Sequence, residues 1–390
     1  MHIGVDATCW QNLRGYGRHA RGLLEALLRV DRENRYVFFA DSSENLEMIP
    51  SRAEVKLVRN SRPTSLAASA NGHRSARDLW KMGRAMSAPN FDLLLFPTIY
   101  SYVPVFSRAK KVVMIHDVIA ETYPKLTLPN RTARFFWNAK ATLGRWQADA
   151  IVTVSDYSRQ GILKRFRLAP ERVFVVGEAS DPVFHVVDDP QPSLNLHSLG
   201  VTGENRSVIY VGGFGPHKNL EMLLEVFKEL AEQKEFDDVR LIMVGEYKRE
   251  IFHSYYGILK TRVTEFGIAD RVIFTGYLTD DDLVVLLNMA TVLVLPSLIE
   301  GFGLPALEAA ACGCPVIATT ASPLSNLLGS GGVYVEPTKR EDLKLALERV
   351  LGSEELCQQM RAAGLAAARR LTWEAAALQM IDVFKQAVAR

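Results

Sequence analysis

Cysteine is scarce in this chain, with four residues among 390: Cys9, Cys312, Cys314 and Cys357. Cys312 and Cys314 are separated by one residue, which is too close for the usual spacing of zinc ligands, and no His-rich segment lies near them. A chain of this length can bury a core of normal size without disulfides. We therefore expect the cysteines to be small apolar packing residues.

Long apolar runs and a targeting segment are also lacking. No stretch of 18 apolar residues without charges occurs, which predicts that no helix spans a membrane. The sequence starts Met-His-Ile-Gly-Val-Asp, with neither a basic leader nor an apolar signal core, and this is typical of a first strand. These features predict a cytoplasmic protein.

Short apolar segments alternate with amphipathic segments from one end of the chain to the other. They are apolar on both faces, as in parallel strands covered by helices on both sides, and the alternation predicts an α/β fold. The predicted strands are residues 3–7, 36–40, 93–96, 112–115, 150–154 and 173–176, and then 207–211, 240–244, 271–275, 292–295 and 315–318.

The length is typical of two domains. Residues 180–203 interrupt the alternation with three prolines and paired aspartates, and we expect them to link the two halves. This places the domains at residues 1–185 and 186–371, with a last helix starting at Thr372. Residues 60–73, rich in Ser, Asn and Ala, are predicted to form a mobile loop.

The net charge of +2 conceals an asymmetry. Residues 1–185 contain 27 Lys and Arg against 17 Asp and Glu, a net charge of +10, whereas the remainder contains 19 against 27, a net charge of −8. A basic half joined to an acidic half indicates that the halves face different partners. The basic half could bind anionic lipid, a phosphorylated acceptor or nucleic acid.

Residues 14–20 contain Gly15 and Gly17 in the spacing G-x-G-x-x-A of dinucleotide-binding proteins. In that fingerprint the first glycine lies at the end of the strand, whereas residues 8–14 intervene here, so the spacing disfavours NAD. A plain tight turn is one alternative. We favour a glycine-rich loop that leads into a helix and faces a substrate, where backbone N–H groups can approach a phosphate.

A second glycine-rich segment, residues 211–220, lies between a predicted strand and a helix predicted at 220–230. Its glycines allow close backbone approach, and Lys218 places an ammonium group near the helix N-terminus. Both features favour binding of a diphosphate. The Gly-Lys-Ser/Thr ending of a P-loop is absent, and an exposed lysine in a turn is the alternative interpretation.

Residues 296–308 form the most specific motif. Glu300 follows a predicted buried strand, Gly301 and Gly303 free the backbone to contact a ligand, and Glu308 is expected in the first turn of the next helix. Carboxylates accept hydrogen bonds and therefore suit sugar hydroxyls and a ribose diol. The alternative is that Glu308 is a simple first-turn helix charge.

His116 and Asp117 directly follow the strand predicted at 112–115. A polar pair at the carboxyl end of a parallel strand lies at the edge of the sheet where ligands bind. A capping aspartate beside an incidental histidine is the alternative.

Taken together, the four motifs resemble the retaining glycosyltransferases of family four and stand in that family's order. The resemblance extends through essentially the whole chain and includes residues 154–158 and 272–278. It implies the GT-B fold, in which two Rossmann-like domains face a central cleft. The first domain would bind the acceptor and the second the nucleotide-sugar donor, and a final helix, here residues 372–390, would cross back to the first domain.

The resemblance also implies roles for matching residues. Lys218 would neutralise the donor diphosphate, Glu300 would bind donor-sugar hydroxyls and Glu308 would hold the ribose. His116 would lie near the anomeric carbon. The other positions implied to form the donor site are Gly15 and Gly17, which would close over the diphosphate, Gly213, His217, Leu278, and the backbone of Phe302, Gly303 and Leu304.

One position departs from the family pattern. Many members carry an arginine where this chain has Gly213, and we expect His217, beside Lys218, to supply the second hydrogen-bond donor. Members with Pro-His-Lys-Asn at this place are often mannosyltransferases. The implied reaction moves a hexose from a nucleotide-diphosphate sugar to a hydroxyl of a saccharide or polyprenyl-diphosphate-linked acceptor, with retention of the anomeric configuration.

No metal or other cofactor is expected. The leaving diphosphate needs charge stabilisation, which Lys218 and helix N-termini can supply. The acidic runs at 188–189 and 280–282 lie in the linker and at a helix start, without other ligands. No carboxylate for a double displacement is identifiable, and we favour front-face attack with the diphosphate as base.

Three other functions are alternatives to the transferase. A nucleotide-sugar 2-epimerase shares the fold but needs no acceptor. An NAD-dependent dehydrogenase is disfavoured by the position of Gly15. A nucleic-acid binder is disfavoured because the basic residues are scattered and the four motifs would be left unexplained.

Residues 131–146 combine four basic residues with four large aromatic residues on one predicted helix. This composition suits an anionic membrane surface, where a lipid-linked acceptor would be found, and suggests peripheral contact with the inner membrane face. The alternative is that the aromatic side chains pack inside the first domain and the basic residues are solvated.

Overall fold

The computed structural model describes residues 1–12, 15–42, 46, 49–61, 64, 75–88, 90–128, 130–247 and 254–390. Contacts divide the chain into two compact units, one of residues 1–178 with 372–390 and one of residues 179–371. The sequence placed the boundary at residue 185. Residues 62–63 and 65–73 of the predicted mobile loop lie outside the described residues.

The first unit is built on a seven-stranded parallel sheet with the order β3-β2-β1-β4-β5-β6-β7. Its central strands are buried on both faces, as the apolar sequence segments predicted. The strands are β1 (His2–Asp6), β2 (Arg35–Ala40), β3 (Glu54–Leu57), β4 (Leu93–Phe96), β5 (Lys110–Met114), β6 (Ala150–Thr153) and β7 (Val173–Val175). The helices are α1 (Gly15–Val30), α2 (Ala76–Ser87), α3 (Ile119–Thr122), α4 (Pro124–Thr127), α5 (Arg131–Gln147) and α6 (Asp156–Phe166).

The second unit is built on a six-stranded parallel sheet with the order β10-β9-β8-β11-β12-β13. Its strands are β8 (Ser207–Val211), β9 (Arg240–Val244), β10 (Val272–Gly276), β11 (Val292–Leu295), β12 (Val316–Thr319) and β13 (Gly332–Val335). Its helices are α7 (Leu194–Ser198), α8 (Leu220–Ala231), α9 (Tyr256–Glu265), α10 (Asp280–Met289), α11 (Leu304–Ala311), α12 (Leu324–Leu328), α13 (Arg340–Leu351) and α14 (Glu354–Ala368). Short 3₁₀ turns occur at Pro170–Arg172, Pro216–Lys218, Lys234–Phe236 and Gly329–Gly331.

The last helix, α15 (Trp373–Ala389), belongs to the first unit and packs against α1. The Thr372 side chain caps its N-terminus by accepting a hydrogen bond from Ala375 N. Trp373, Met380 and Phe384 are buried on its inner face. No helix within the described ranges is long and apolar enough to cross a bilayer.

The strand predictions missed β3 and β13. Both lie at an edge of their sheet and are short; the residues of β3 are mostly exposed and those of β13 mostly half-buried. Edge strands need no continuous apolar run because one side faces no neighbouring strand, so the pattern that revealed the central strands is absent from them.

The segment predicted as a linker is only partly irregular. It contains α7, whose Leu196 is fully buried, and the whole of 180–203 falls in the second unit. The prolines and aspartates of this segment correctly predicted turns, but the short helix α7 was not predicted. The four cysteines are unpaired and buried, as expected for packing residues.

Candidate functional site

The two motifs of the second unit meet at one edge of its sheet. Residues 212–218 follow β8 and residues 296–303 follow β11. These strands are direct neighbours in the sheet, although β9 and β10 lie between them in the sequence. Strand order reverses between β8 and β11. In open parallel sheets such a switch point opens a crevice at the carboxyl ends of the strands, where ligands bind.

Lys218 and Glu300 form the centre of this edge. The Lys218 ammonium Nζ donates to Glu300 Oε1 over 2.7 Å, and the Ser297 hydroxyl donates to the same oxygen over 2.6 Å. Both side chains of the ion pair are largely buried. Among the described residues, Glu300 Oε2 has no hydrogen-bond partner. The pair therefore presents one free carboxylate oxygen and an ammonium with donors to spare.

Glu300 is ionised at neutral pH. Burial by itself would raise the pKa of its carboxyl group, but the charge of Lys218 and the hydrogen bonds from Lys218 and Ser297 outweigh burial and lower the pKa below its usual value. An ionised carboxylate only accepts hydrogen bonds, which suits it to sugar hydroxyls.

The two loops are tied to each other by hydrogen bonds outside the ion pair. Leu298 N donates to the His217 carbonyl over 2.9 Å. The Asn219 side chain donates to the carbonyls of Pro296, at 3.1 Å, and Pro337, at 2.9 Å. Asn219 has φ of 58°, in the left-handed region that asparagine tolerates better than most residues. These bonds hold Lys218 opposite Glu300.

Glycine is required at the start of the next helix. Gly303 has φ of 91°, and a Cβ there would lie 2.8 Å from Leu324 Cδ1. It caps α11 without a side-chain hydrogen bond. Pro305 has no N–H and Ala306 N donates to the Gly303 carbonyl over 2.9 Å, so the Leu304 N–H is the first-turn donor that can reach an anion or hydroxyl. Because α11 begins at Leu304, Glu308 lies in its second turn, and the expectation of a first-turn position was wrong. Glu308 is buried.

Gly213 and His217 precede Lys218 on the same loop. The Gly213 carbonyl accepts a hydrogen bond from the Tyr210 hydroxyl over 2.6 Å. Burial, followed by the charge of Lys218, lowers the pKa of His217 to about 4. His217 is therefore neutral at physiological pH and can donate a hydrogen bond, but it does not replace the positive charge of an arginine.

The side chains of Leu278, Phe302 and Leu304 are buried. Leu278 follows β10, and the other two connect Glu300 to α11. Their side chains are packing groups, so any ligand contact they make would come from the backbone.

In the first unit, Gly15 and Gly17 lie in the first turn of α1, and the prediction of a glycine-rich loop at these positions was wrong. Gly17 is required by packing, because a Cβ there would lie 2.0 Å from the Asn12 carbonyl oxygen. A Cβ on Gly15 would meet nothing within 4 Å. Arg14, which precedes them, lies outside the described residues.

His116 follows β5, and its carbonyl accepts a hydrogen bond from the Thr153 hydroxyl over 3.0 Å. Asp117 accepts from Ile119 N over 2.9 Å, which is the local turn role considered for it. The His116 ring packs edge to face on the buried His19, with centroids 4.8 Å apart, and His19 Nδ1 lies 2.9 Å from Glu178 Oε1.

The sequence interpretation did not single out Ser297, Asn219, His19 or Glu178. Asn219 lies in the segment 211–220 and directly follows Lys218, and Ser297 lies in the segment 296–308, three residues before Glu300. A polar residue close to a proposed ligand residue was a usable signal. His19 and Glu178 are 159 residues apart, so no local pattern joins them.

The acidic run at 280–282 starts α10. Asp282 accepts hydrogen bonds from Ser193, at 2.6 Å, and from Asn195, at 2.7 Å, so it holds α7 in place. Within the part of the chain that the structure describes, one group of side chains, His19, His116 and Glu178, brings three potential metal-ligand atoms within 4.8 Å of one another.

Two family profiles match the chain. The profile described as Glycosyltransferase Family 4 matches residues 13–182, and the one described as Glycosyl transferases group 1 matches residues 195–366. The boundary between them falls close to the boundary between the two structural units.

Known proteins are similar over most of the chain. The serotype-specific mannosyltransferase WbdA of Escherichia coli is 28% identical over 98% of this chain, which spans 48% of that protein. The O-antigen chain mannosyltransferase B of Escherichia coli is 28% identical over 71% of the chain and 70% of its own length. The chain thus spans about half the length of WbdA.

Solved structures show the same fold. Sucrose-phosphate synthase of Thermosynechococcus elongatus superposes with a TM-score of 0.75 at 20% identity, covering 100% of this chain and 99% of that one. HepE of Anabaena in complex with UDP-glucose gives a TM-score of 0.76 at 17% identity, covering 99% of both chains. With two parallel sheets, the four motifs in order and the two profiles covering most of its length, the chain belongs to the family-four glycosyltransferases of the GT-B fold.

Proposed function

We propose that this chain transfers a hexose from a nucleotide-diphosphate sugar to a hydroxyl of a saccharide or lipid-linked acceptor, with retention of the anomeric configuration. The observation that carries the proposal is the Lys218–Glu300 pair at the switch point of the second sheet. It places a cation for the diphosphate next to a carboxylate for the sugar.

Lys218 would stabilise the leaving group. Its ammonium group has three donor hydrogens, and Glu300 Oε1 takes one of them. The others can bind diphosphate oxygens, where negative charge grows as the glycosidic bond breaks. The neutral His217 would add one N–H donor. Because this chain has Gly213 where many family members have an arginine, Lys218 provides the positive charge of this loop.

Glu300 would orient the donor sugar. Its free Oε2 can accept a hydrogen bond from a sugar hydroxyl while Oε1 remains held by Lys218 and Ser297. Sugar and diphosphate are then fixed by two groups that are already in contact, which favours one geometry for the scissile bond. Front-face attack by the acceptor, with a diphosphate oxygen as base, is the step we favour. Glu308 would hold the ribose.

Mannose is the hexose we propose. WbdA and the O-antigen chain mannosyltransferase B are both named as mannosyltransferases, whereas HepE was solved with UDP-glucose. The test must therefore include both a mannosyl and a glucosyl donor.

The purified chain is incubated with a panel of saccharide acceptors in the presence of EDTA, with either GDP-mannose or UDP-glucose as donor. We expect a glycosylated product from one of the two donors and not from the other. We expect turnover in EDTA because Lys218 supplies the charge that a metal would otherwise bring. Mass spectrometry and NMR of the product establish the transfer and the anomeric configuration.

The same donor without acceptor is the control. Formation of a C2-epimerised sugar from donor alone would show an epimerase instead. Activity abolished by EDTA and restored by Mg²⁺ or Mn²⁺ would contradict the metal-free mechanism.

We also propose that the first unit contacts an anionic membrane surface, where a lipid-linked acceptor lies. Only Ala141 and Gly144 are buried on α5. Phe135, Phe136 and Trp146 are 68%, 56% and 77% exposed. The packing alternative accounts only for Trp137, which is half-buried and donates to Glu121 over 2.9 Å.

Charge supports the same partner. Arg131, Arg134, Lys140 and Arg145 share α5 with these aromatic rings, and residues 1–185 carry a net charge of +10. Each cation near an anionic bilayer contributes about 1 kcal/mol, so a few of them suffice for reversible binding. Exposed aromatic rings add apolar burial at the headgroup level.

In a vesicle sedimentation assay, the chain should pellet with vesicles rich in anionic lipid more than with neutral vesicles, and high salt should reverse this binding. The triple variant Phe135→Ser, Phe136→Ser, Trp146→Ser should bind at least about tenfold more weakly, because it removes the apolar contacts.

Leu194→Ser, which changes a 90% exposed apolar residue of the second unit, is the matched control and should bind as the wild type does. Equal, negligible binding of the wild-type chain to both kinds of vesicle would favour a soluble acceptor.

A further inference from the structure

Three titratable side chains of the first unit lie in a row, in which His19 and Glu178 are buried and His116 is half-buried. Glu178 is 6% exposed and its Oε1 lies 2.9 Å from Nδ1 of His19, which is 1% exposed. The His19 ring meets the His116 ring at an interplanar angle of 85° with centroids 4.8 Å apart. Three different chain segments supply these residues. His19 lies on α1, His116 follows β5 and Glu178 follows β7.

Both ring nitrogens of His116 are buried and, among the described residues, neither has a hydrogen-bond partner. A buried polar group without a partner is costly and rare in folded proteins, which indicates that a ligand satisfies it. The Thr153 hydroxyl donates a hydrogen bond to the His116 carbonyl, which fixes the backbone position from which the ring extends.

We propose that Glu178 and His19 are positioning residues that hold the His116 ring in one orientation and keep it neutral, so that its nitrogen can exchange a hydrogen bond with a substrate hydroxyl. This inference rests on the proposed function and on the role that the family resemblance implies for His116, near the anomeric carbon. Glu178 and His19 act only through His116.

The electrostatics agree with this arrangement. Burial, followed by the charge of His19, lowers the pKa of His116 well below its usual value. The Glu178 carboxylate lies against the His19 ring in the same row of side chains. The neighbouring Asp117 is engaged with Ile119 N, and the His19 ring also meets the Trp373 ring, with centroids 5.4 Å apart.

The test compares His19→Gln and Glu178→Gln with the wild type. His19→Gln removes one of the two causes that depress the pKa of His116, so that pKa rises while burial still holds it below its usual value. Protonation of His116 at low pH should abolish its role, and the acid limb of the kcat/KM profile should therefore move to higher pH by at least ~0.5 unit. We expect Glu178→Gln to move it in the same direction, because His19 loses the carboxylate that lies 2.9 Å from its Nδ1 and positions its ring against His116.

Two readouts separate positioning from general damage. In both variants kcat should fall about tenfold while the donor KM stays within about twofold, since orientation and not binding is lost. An NMR titration of the ring C–H of His116, assigned with His116→Gln, should show the same pKa rise without any activity measurement. His197→Gln, which changes an exposed histidine of the second unit, is the control and should leave all readouts unchanged.

An unchanged acid limb and an unchanged His116 titration in both variants would overturn the proposal. Stoichiometric Zn²⁺ in the wild-type chain that is lost from His19→Gln would also overturn it, because the imidazoles would then be metal ligands. Absence of transfer by the wild type, with the NMR shift present, would contradict the proposed function but not the coupling of the three side chains.

Discussion

Lys218→Ala and Glu300→Ala should each reduce kcat/KM at least ~100-fold, equivalent to about 2.7 kcal/mol of transition-state stabilisation. The structure places the two groups 2.7 Å apart at the end of neighbouring strands. Lys218→Ala removes the cation proposed for the leaving diphosphate. Glu300→Ala removes the carboxylate proposed for the sugar hydroxyls and frees Lys218 from its position.

The measurement is steady-state kinetics on purified variants whose folding is checked by thermal unfolding, because either substitution leaves a buried charge without its partner. Glu300→Gln keeps the shape and separates loss of charge from loss of volume. The matched control is Lys228→Ala, which breaks the exposed pair with Glu232 on α8 and should retain kcat/KM within about twofold. Turnover close to wild type in both Lys218→Ala and Glu300→Ala would contradict the site assignment.

Gly17→Ala should destabilise the first unit by at least ~2 kcal/mol. An added Cβ would lie 2.0 Å from the backbone oxygen of Asn12, and a backbone atom cannot swing away as the end of a side chain can. The start of α1, or the turn before it, has to shift. The free energy of unfolding, measured in urea with tryptophan fluorescence, gives the size of the effect.

Gly15→Ala is the matched control because it changes the same turn of the same helix. Its Cβ would meet nothing within 4 Å, and alanine favours helix over glycine by about 1 kcal/mol, so the variant should be as stable as the wild type or slightly more stable. Equal stabilities of the two variants would contradict the close approach to Asn12. Lower activity of a fully stable Gly15→Ala variant would support the predicted approach of this residue to the diphosphate.

Much of the fold was predictable because central parallel strands are buried on both faces and therefore carry continuous apolar runs. All eleven predicted strands overlap observed ones, whereas the edge strands at 54–57 and 332–335 were missed because an exposed edge relaxes that requirement. The glycine-rich loop at 15–17 was wrong for another reason. Glycine indicates either backbone flexibility or close packing, and only the position of Asn12 distinguishes them.

For the candidate site, too, the sequence predicted the single residues but not the contacts between them. Lys218 and Glu300 could be proposed separately, each from glycines and a strand end nearby. Their direct contact, and the Ser297 hydroxyl on the same carboxylate oxygen, follow only from the adjacency of β8 and β11. The exposure of Phe135, Phe136 and Trp146 could not be read from α5 alone, because an amphipathic helix on a sheet has the same composition as one at a membrane.

By itself the sequence determined the α/β class, the two-part organisation and the order of the motifs, because each depends on local periodicity and short-range residue chemistry. Tertiary structure alone decided the sheet order that joins Lys218 to Glu300 and the packing that requires Gly17. It also decided the meeting of His19, His116 and Glu178. The contacts of Lys218 with Glu300 and of His19 with Glu178 join residues 82 and 159 positions apart, and such pairings are set by how the elements pack, not by any pattern within one element.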